Sequence, residues 1–177
     1  EEADPNNLAP TASTTAQLAM GDALATALLA LRGFNSANFA QFHPGGSLGK
    51  QLYLRVSDVY PNNECPAVQL NDPLAKVILE ITSKRLGVTV VLNQNKEVAG
   101  VITDGDLRRM LEKYASIEGL SAKDIMGTKP KVIQQDTLAV KALQTMRENS
   151  ITQLIILDQE EYVGIIHLHD LLREGLV

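Results

Sequence analysis

Two pairs of polar side chains that could bind an anion stand at matching places in the two halves of this sequence. Thr103 and Asp106 form the pattern Thr-x-x-Asp, and His167 and Asp170 repeat its spacing 64 residues later. Each pair follows an apolar run that predicts a buried strand, and each precedes a predicted helix. A phosphate at that helix N-terminus could accept a hydrogen bond from Thr103, and Asp106 could accept bonds from ribose hydroxyls. The residue types leave open the alternative that both pairs are ordinary helix caps.

The second pair differs from the first in size and charge, because a histidine replaces the threonine. We therefore expect the second site to be altered or empty. His167 and His169 stand two residues apart and could ligate a metal, but no cluster of carboxylates or cysteines accompanies them in the sequence. The sequence therefore predicts no metal site.

A third candidate is His43, which opens the glycine-rich segment His43-Pro44-Gly45-Gly46-Ser47. Pro44 disfavours helical geometry at His43, and Ser47 can cap the helix that follows. A histidine at such a turn is suited to acid–base chemistry beside an anion. The alternative is that the glycines only form a tight turn and that His43 packs beside Phe42.

These candidates are positioned by a tandem repeat. An offset of 64 residues joins three pairs of segments: 72–75 with 136–139, 89–92 with 153–156, and 100–108 with 164–172. Each copy predicts a short helix, a loop, a longer helix, two strands and a closing helix that starts near Asp106 or Asp170. The first copy predicts a helix over 73–84 capped by Asp72, with strands over 88–92 and 97–102. The second predicts a helix over 138–149 capped by Asp136, with strands over 153–157 and 162–167.

The four predicted strands are almost continuously apolar, which indicates burial on both faces. One copy of about 60 residues covers such a sheet poorly, so we expect the two copies to pack into one unit with pseudo-two-fold symmetry. The predicted fold class is α/β, of the α+β kind.

Two helices are predicted before the repeat. The first runs from Thr14 or Thr15 to about Arg32, and Asn35 or Ser36 caps the second. The first helix alternates alanine and leucine, so nearly every face is apolar and should be covered. The residues before it are too few to cover it, and the sequence has no initiating methionine, so we expect a piece of a longer protein. Its apolar segment, 18–31, is shorter than the roughly 20 residues of a membrane helix, so no membrane span is predicted.

The composition limits the classes of partner. Hydrophobic residues make up 45% of the 177 residues, which is enough for a core. Lys and Arg number 16 against 21 Asp and Glu, a net charge of -5. This balance argues against a nucleic-acid partner, although a local basic pocket could still hold one nucleotide. The single cysteine, Cys65, suits a reducing cytosol and is interpreted as an inert loop thiol.

Residues 57–177, with their doubled strand–Thr-x-x-Asp–helix unit, resemble a cystathionine-β-synthase (CBS) pair, also called a Bateman module. Four segments, 8–15, 20–24, 42–46 and 103–109, extend the likeness over essentially the whole chain. Together they resemble the KdsD/KpsF/GutQ family of D-arabinose 5-phosphate isomerases. The resemblance implies the C-terminal, helical remnant of a sugar-isomerase (SIS) domain over 1–56, a first CBS repeat over 57–117 and a second over 118–177.

The family resemblance also implies an activity for the whole protein. It implies an aldose–ketose isomerase that converts ribulose 5-phosphate to arabinose 5-phosphate for Kdo and lipopolysaccharide biosynthesis, as a cytoplasmic homotetramer without a cofactor. His43 and Glu2 match catalytic candidates of the family, whose phosphate-binding loop should lie before Glu1. Proton transfer needs a histidine near its usual pKa of ~6.5 or a glutamate whose pKa is raised by burial. We expect this chain to be inactive alone.

The CBS resemblance assigns a regulatory nucleotide to Thr103, Asp106, His167 and Asp170. The nucleotide is expected to be an adenine nucleotide or CMP-Kdo, a downstream product of the pathway. The alternative is a CBS pair that binds a ligand or mediates oligomerisation for another sugar-phosphate protein.

Overall fold

The computed structural model describes residues 1–43 and 45–176. The chain divides into two compact units, Glu1–Pro44 and Gly45–Val177. This division falls before the predicted domain boundary at 56/57, because helix α3 (Ser47–Tyr53) belongs to the second unit. Lys50 of α3 forms a 2.8 Å salt bridge with Glu174 near the end of that unit. The predicted effect of Pro44 on His43 and the predicted cap by the Ser47 side chain lie outside the described residues.

The first unit contains helices α1 (Ala12–Leu31) and α2 (Ser36–Phe42). The predicted capping of α1 by Thr14 or Thr15 is wrong, because both hydroxyls donate to the carbonyl of Thr11 from inside the helix. The predicted cap of α2 by Asn35 is confirmed: the Asn35 side chain accepts from the backbone amide of Asn38 at 3.1 Å.

Helix α1 is exposed along its whole length within the described residues, although nearly every face is apolar. It is 20 residues long, which exceeds the predicted apolar segment. By length and composition alone it could cross a membrane, and among the described residues it is the one helix that could. A helix that another domain covers has the same composition, so this finding is weak evidence for a membrane span.

The second unit contains two similar halves that follow two 3₁₀ turns, Val56–Asp58 and Tyr60–Asn62. The first half contains β1 (Ala67–Gln69), α4 (Leu74–Lys84), β2 (Val88–Leu92), β3 (Val98–Thr103) and α5 (Asp104–Lys113). The second half contains α6 (Ala122–Ile125), β4 (Val132–Gln134), α7 (Ala139–Asn149), β5 (Gln153–Asp158), β6 (Glu161–His167) and α8 (Leu168–Arg173). In each half the described strands form a three-stranded sheet, in which a short strand pairs parallel with the middle strand and the third pairs antiparallel.

The predicted caps of the two long repeat helices are wrong. The N-caps are Pro73 and Leu138, and neither helix has a side-chain cap bond. Asp72 lies one residue earlier, where its carboxylate accepts from the Gln69 amide at 2.8 Å and pairs with Lys76.

The constant offset of 64 residues is also wrong for part of the repeat. Strand pairing matches Val88 with Thr103 in the first half and Gln153 with His167 in the second. Val88 and Gln153, the equivalent residues of the middle strands, are therefore 65 residues apart, whereas Thr103 and His167 are 64 apart. The change occurs between the two longer strands of each sheet, because five residues separate the paired Leu92 and Val98 and four separate the paired Leu157 and Tyr162.

The hydrophobic core has three parts within the described residues. One cluster surrounds each sheet, with Ala122 of α6 packed into the cluster of the first half and Val56 and Val59 into that of the second. A third cluster, formed by Val88, Val90, Ile155 and Ile165, lies between the two sheets. The prediction that the halves form one pseudo-symmetric pair is confirmed, because strands from both sheets share this third cluster. Burial on both faces holds for β2 but not for all of β3, whose residues alternate between buried and half-buried toward its end.

Candidate functional site

A cleft of about 270 Å³ opens between the two halves of the second unit, and we call it the first cleft. Its apolar lining comes from both sheets: Val88, Val101, Ile151, Leu154, Ile155 and Ile165. Its polar rim is formed by Thr103, Lys129, Lys131, Asn149 and Gln153. An apolar slot with a few polar groups at its edge is the usual form of a small-molecule site.

Thr103 reaches this rim because it ends β3 and caps α5. Its hydroxyl accepts from the Asp106 amide at 3.3 Å, while the Asp106 carboxylate accepts from the Thr103 amide at 2.8 Å and hydroxyl at 2.6 Å. Asp106 also pairs with Arg109 and is not among the residues that line the first cleft. Thr103 and Asp106 therefore act as helix-capping residues, as the alternative interpretation expected. The contacts of Thr103 with a phosphate and of Asp106 with a ribose stay predictions.

The charge of Asp106 follows from the same contacts. Burial raises its pKa, but the hydrogen bonds from Thr103 and the guanidinium of Arg109 outweigh this effect and leave the pKa below its usual value. The carboxylate is therefore an anion at neutral pH, already neutralised by its own neighbours.

The positive charge at the first cleft comes from Lys129 and Lys131, which the sequence analysis missed. Both are exposed, and no salt bridge among the described residues engages either of them. They flank Pro130 directly before β4, a three-residue strand with no apolar pattern of its own. Two lysines around a proline directly before a short strand were the sequence signal that could have predicted this part of the rim.

A second cleft, related to the first by the repeat, holds His167 and Asp170. It has a volume of about 530 Å³, and its lining includes Glu64, Lys84, Leu86, Gln153, His167 and Asp170. The Asp170 carboxylate accepts from the His167 amide at 2.9 Å and from the Asn63 side chain at 2.7 Å. Burial and the neighbouring His169 lower the pKa of His167, which favours the neutral ring.

His167 and His169 do not point to a metal centre. Their rings stack with centroids 4.9 Å apart, and the Nδ1 of His167 accepts from the His169 amide at 3.1 Å. No group of three or more metal-binding side chains occurs among the described residues.

In the first unit, Glu2 serves as the cap that α1 otherwise lacks. Its carboxylate accepts from the Thr11 amide at 2.7 Å and from the Ser13 amide at 3.1 Å. The Ser13 side chain and these amides lower the pKa of Glu2 to about 2. In this chain Glu2 is therefore not a glutamate whose pKa is raised by burial. A catalytic role for Glu2 remains a prediction.

His43 is exposed, and its ring lies 4.6 Å from that of Phe39. The alternative that it packs beside Phe42 is wrong, because Phe42 stacks on Phe34 with ring centroids 6.3 Å apart. No hydrogen bond joins Glu2 to His43 in the described residues, so their shared catalytic role is a prediction from resemblance alone.

Comparison with known proteins identifies both the repeat and a longer relative. The CBS domain family matches residues 56–113 and 122–176. Over 178 aligned residues the chain is 45% identical to arabinose 5-phosphate isomerase KdsD of Escherichia coli K12. The alignment covers 100% of this chain and 54% of KdsD, so the chain spans about half the length of the curated relatives it matches.

Solved structures support the fold. A conserved protein from Pyrococcus horikoshii has a TM-score of 0.62 at 21% identity and covers 70% of this chain and 92% of its own. The CBS domain protein PAE2072 from Pyrobaculum aerophilum, described as complexed with AMP, has a TM-score of 0.61 at 19% identity. It covers 70% of this chain and 100% of its own.

Proposed function

The chain belongs to the CBS domain family, and from this premise we propose that it is the nucleotide-binding regulatory part of an arabinose 5-phosphate isomerase. The observation that carries the proposal is the first cleft. Its apolar slot between the sheets suits a nucleobase, and Lys129 and Lys131 at its rim suit a phosphate. Thr103 at the same rim can add a hydroxyl contact.

We propose that the whole protein interconverts ribulose 5-phosphate and arabinose 5-phosphate in Kdo and lipopolysaccharide biosynthesis. The 45% identity to KdsD over the full chain supports this assignment. His43 and Glu2 would belong to the catalytic apparatus of that whole protein. Glu2 is held as a helix cap in this chain, so the chain alone is expected to lack isomerase activity.

The proposed ligand is an adenine nucleotide or CMP-Kdo. The structural neighbour from Pyrobaculum aerophilum carries AMP, and a bacterial CNNM/CorC transporter CBS domain carries ATP. CMP-Kdo is proposed for a different reason: it is a downstream product of the proposed pathway and could act as a feedback inhibitor of the isomerase. We place the whole protein in the cytoplasm as a homotetramer, in keeping with the isomerase assignment.

Isothermal titration of the chain with AMP, ATP, CMP and CMP-Kdo tests the proposal. One of them is expected to bind, and at 100 times its Kd it should raise the free energy of unfolding by about 2.7 kcal/mol. Charge reversal at the rim, Lys129→Glu with Lys131→Glu, should weaken binding at least about tenfold, because a phosphate loses two attractive contacts.

The matched control is Lys141→Glu, an exposed lysine on α7 that does not line the first cleft. Equal weakening by the control and the rim variant would contradict the phosphate assignment. Absence of binding by all four nucleotides would favour the alternative, a CBS pair that serves only oligomerisation of a sugar-phosphate protein.

A further inference from the structure

The two halves of the second unit differ at an aromatic residue whose position the repeat defines. Val98 pairs with Leu92 at the start of β3, and Tyr162 pairs with Leu157 at the start of β6. Both pairs follow a register irregularity in the middle strand of the sheet. Tyr162 therefore occupies in the second half the backbone position that Val98 occupies in the first, with a much larger side chain.

The Tyr162 side chain lies over the segment that corresponds to the lysine rim of the first cleft, and the second cleft does not extend to Tyr162, Cys65 or Pro66. Its hydroxyl donates to the Pro66 carbonyl at 3.0 Å and contacts the Cys65 thiol. Pro66 corresponds to Lys131, because the Val90 amide donates to Pro66 as the Ile155 amide donates to Lys131. By the same offset Cys65 corresponds to Pro130.

The tyrosine ring also occupies apolar space between the sheets. It packs against the cluster of Val88, Val90, Ile155 and Ile165, as the smaller Val98 does from the other half. Burial raises the pKa of Tyr162, which keeps the hydroxyl protonated as a donor. Apart from Leu86 and Gly87, the second cleft is lined by polar and charged side chains.

The rim of the second cleft has also lost the cations of the first. Glu64 corresponds to Lys129 and forms a 2.8 Å salt bridge with Lys84, which corresponds to Asn149. Pro66 replaces Lys131. A phosphate would therefore find no lysine at the two positions that Lys129 and Lys131 hold in the first cleft. The cations that line the second cleft are Lys84, which Glu64 neutralises, and Arg85 and Arg173.

We propose that Tyr162 is a specificity-determining residue that fills, in the second cleft, the slot that a nucleobase takes in the first. The chain then binds one nucleotide, in the first cleft only. This inference rests on the proposed function, because it assumes that the first cleft accepts a nucleotide.

Reciprocal exchange of the two residues tests the inference by calorimetry with AMP or, where AMP does not bind, with ATP, CMP and CMP-Kdo in turn. The wild-type chain should bind one equivalent. Val98→Tyr should close the first cleft and abolish binding, because the tyrosine ring would lie over Lys131 and Pro130. Tyr162→Phe should keep one equivalent, because the ring remains.

Tyr162→Val should open the apolar slot of the second cleft and add a second, weaker equivalent, since the rim lysines are still absent. This variant leaves no orphaned carbonyl, because Pro66 keeps its hydrogen bond from the Val90 amide at 3.2 Å. Thermal unfolding would show whether each variant folds.

The outcomes separate this inference from the proposed function. If none of AMP, ATP, CMP and CMP-Kdo binds the wild-type chain, the proposed function fails. Two equivalents on the wild-type chain, or undiminished binding by folded Val98→Tyr, would overturn the role of Tyr162 alone. A folded Tyr162→Val variant that still binds one equivalent would overturn it as well.

Discussion

At the scale of single residues, the two Thr-x-x-Asp-type pairs show how one pattern can support both a cap and a ligand site. Thr103 caps α5 through its hydroxyl and still stands on the rim of the first cleft. Asp106 is engaged by Thr103 and Arg109, so it holds Thr103 in place. A threonine that is both fixed and exposed to a cleft is suited to orient a ligand.

Thr89 is the residue for which the described chain offers no partner. It is fully buried in β2, and its hydroxyl has no hydrogen bond in the described residues. In the corrected register it corresponds to Leu154, an apolar residue of the first cleft. The second half therefore has a leucine at the place where the first half buries a hydroxyl.

Replacing this hydroxyl should stabilise the fold. Thr89→Val is expected to raise the free energy of unfolding by about 1 kcal/mol, because burial of an unpaired hydroxyl is unfavourable and valine has nearly the same shape. Chemical denaturation measures the change. Thr82→Val is the control, since the exposed Thr82 hydroxyl donates to Ile78 at 2.8 Å, and it should give no gain. A loss of stability in Thr89→Val would show that the hydroxyl has a partner after all.

At the scale of elements, the third strand of the first sheet depends on a glycine where another chain segment crosses it. A Cβ on Gly100 would lie 2.7 Å from the carbonyl oxygen of Gly127, which forms two backbone bonds with Val101. This contact joins β3 to the segment after α6. The glycine is therefore required by close approach, with no unusual backbone angle.

A pair of glycine substitutions separates close approach from helix propensity. Gly100→Ala should lower the free energy of unfolding by about 1–3 kcal/mol, because backbone must move to admit the methyl group. Gly105→Ala, in the first turn of α5, should be neutral or raise it by up to about 1 kcal/mol, since its nearest neighbours would be 3.5 Å away. Thermal and chemical unfolding measure both. Equal effects of the two variants would contradict this account.

The longest described helix, α1, has an apolar surface that is exposed and a cap that the sequence did not predict. Helix α1 exposes Leu18, Leu24 and Leu28, with more than half of each side chain accessible. The sequence correctly predicted a helix here, and its cover by another part of a longer protein stays a prediction; the relatives are about twice as long as this chain. The capping of α1 was mispredicted because Glu2 acts from nine residues away, beyond the local window of a capping motif.

At the scale of the whole second unit, the cluster between the sheets both joins the halves and lines the first cleft. Ile165 and Val88 belong to both the cluster and the cleft, so the residues that join the halves also line the proposed nucleotide site. The halves should therefore unfold together.

Truncation in this shared cluster tests the coupling. Ile165→Ala should lower the free energy of unfolding by about 2–5 kcal/mol in a single transition seen by different probes, because it leaves a cavity between the sheets. Leu111→Ala is the control: Leu111 is 65% exposed on α5, and its change should stay within about 0.5 kcal/mol. Separate transitions for the two halves would contradict a shared core.

The sequence by itself determined the tandem repeat, the longer strands and helices, and the pairing of the two halves. The longer strands and helices could be predicted because the spacing of apolar residues along the chain is a local property. The pairing of the halves could be predicted because strands that are apolar on both faces must be covered by another part of the chain. Only the tertiary structure decided the features that arise from contacts between distant segments. Strand pairing corrected the offset and revealed β1 and β4, which are too short to carry a pattern. The same pairing placed Lys131 at the rim of the first cleft and Pro66, which accepts a hydrogen bond from Tyr162, at the corresponding position of the other half, so two similar halves are chemically unequal.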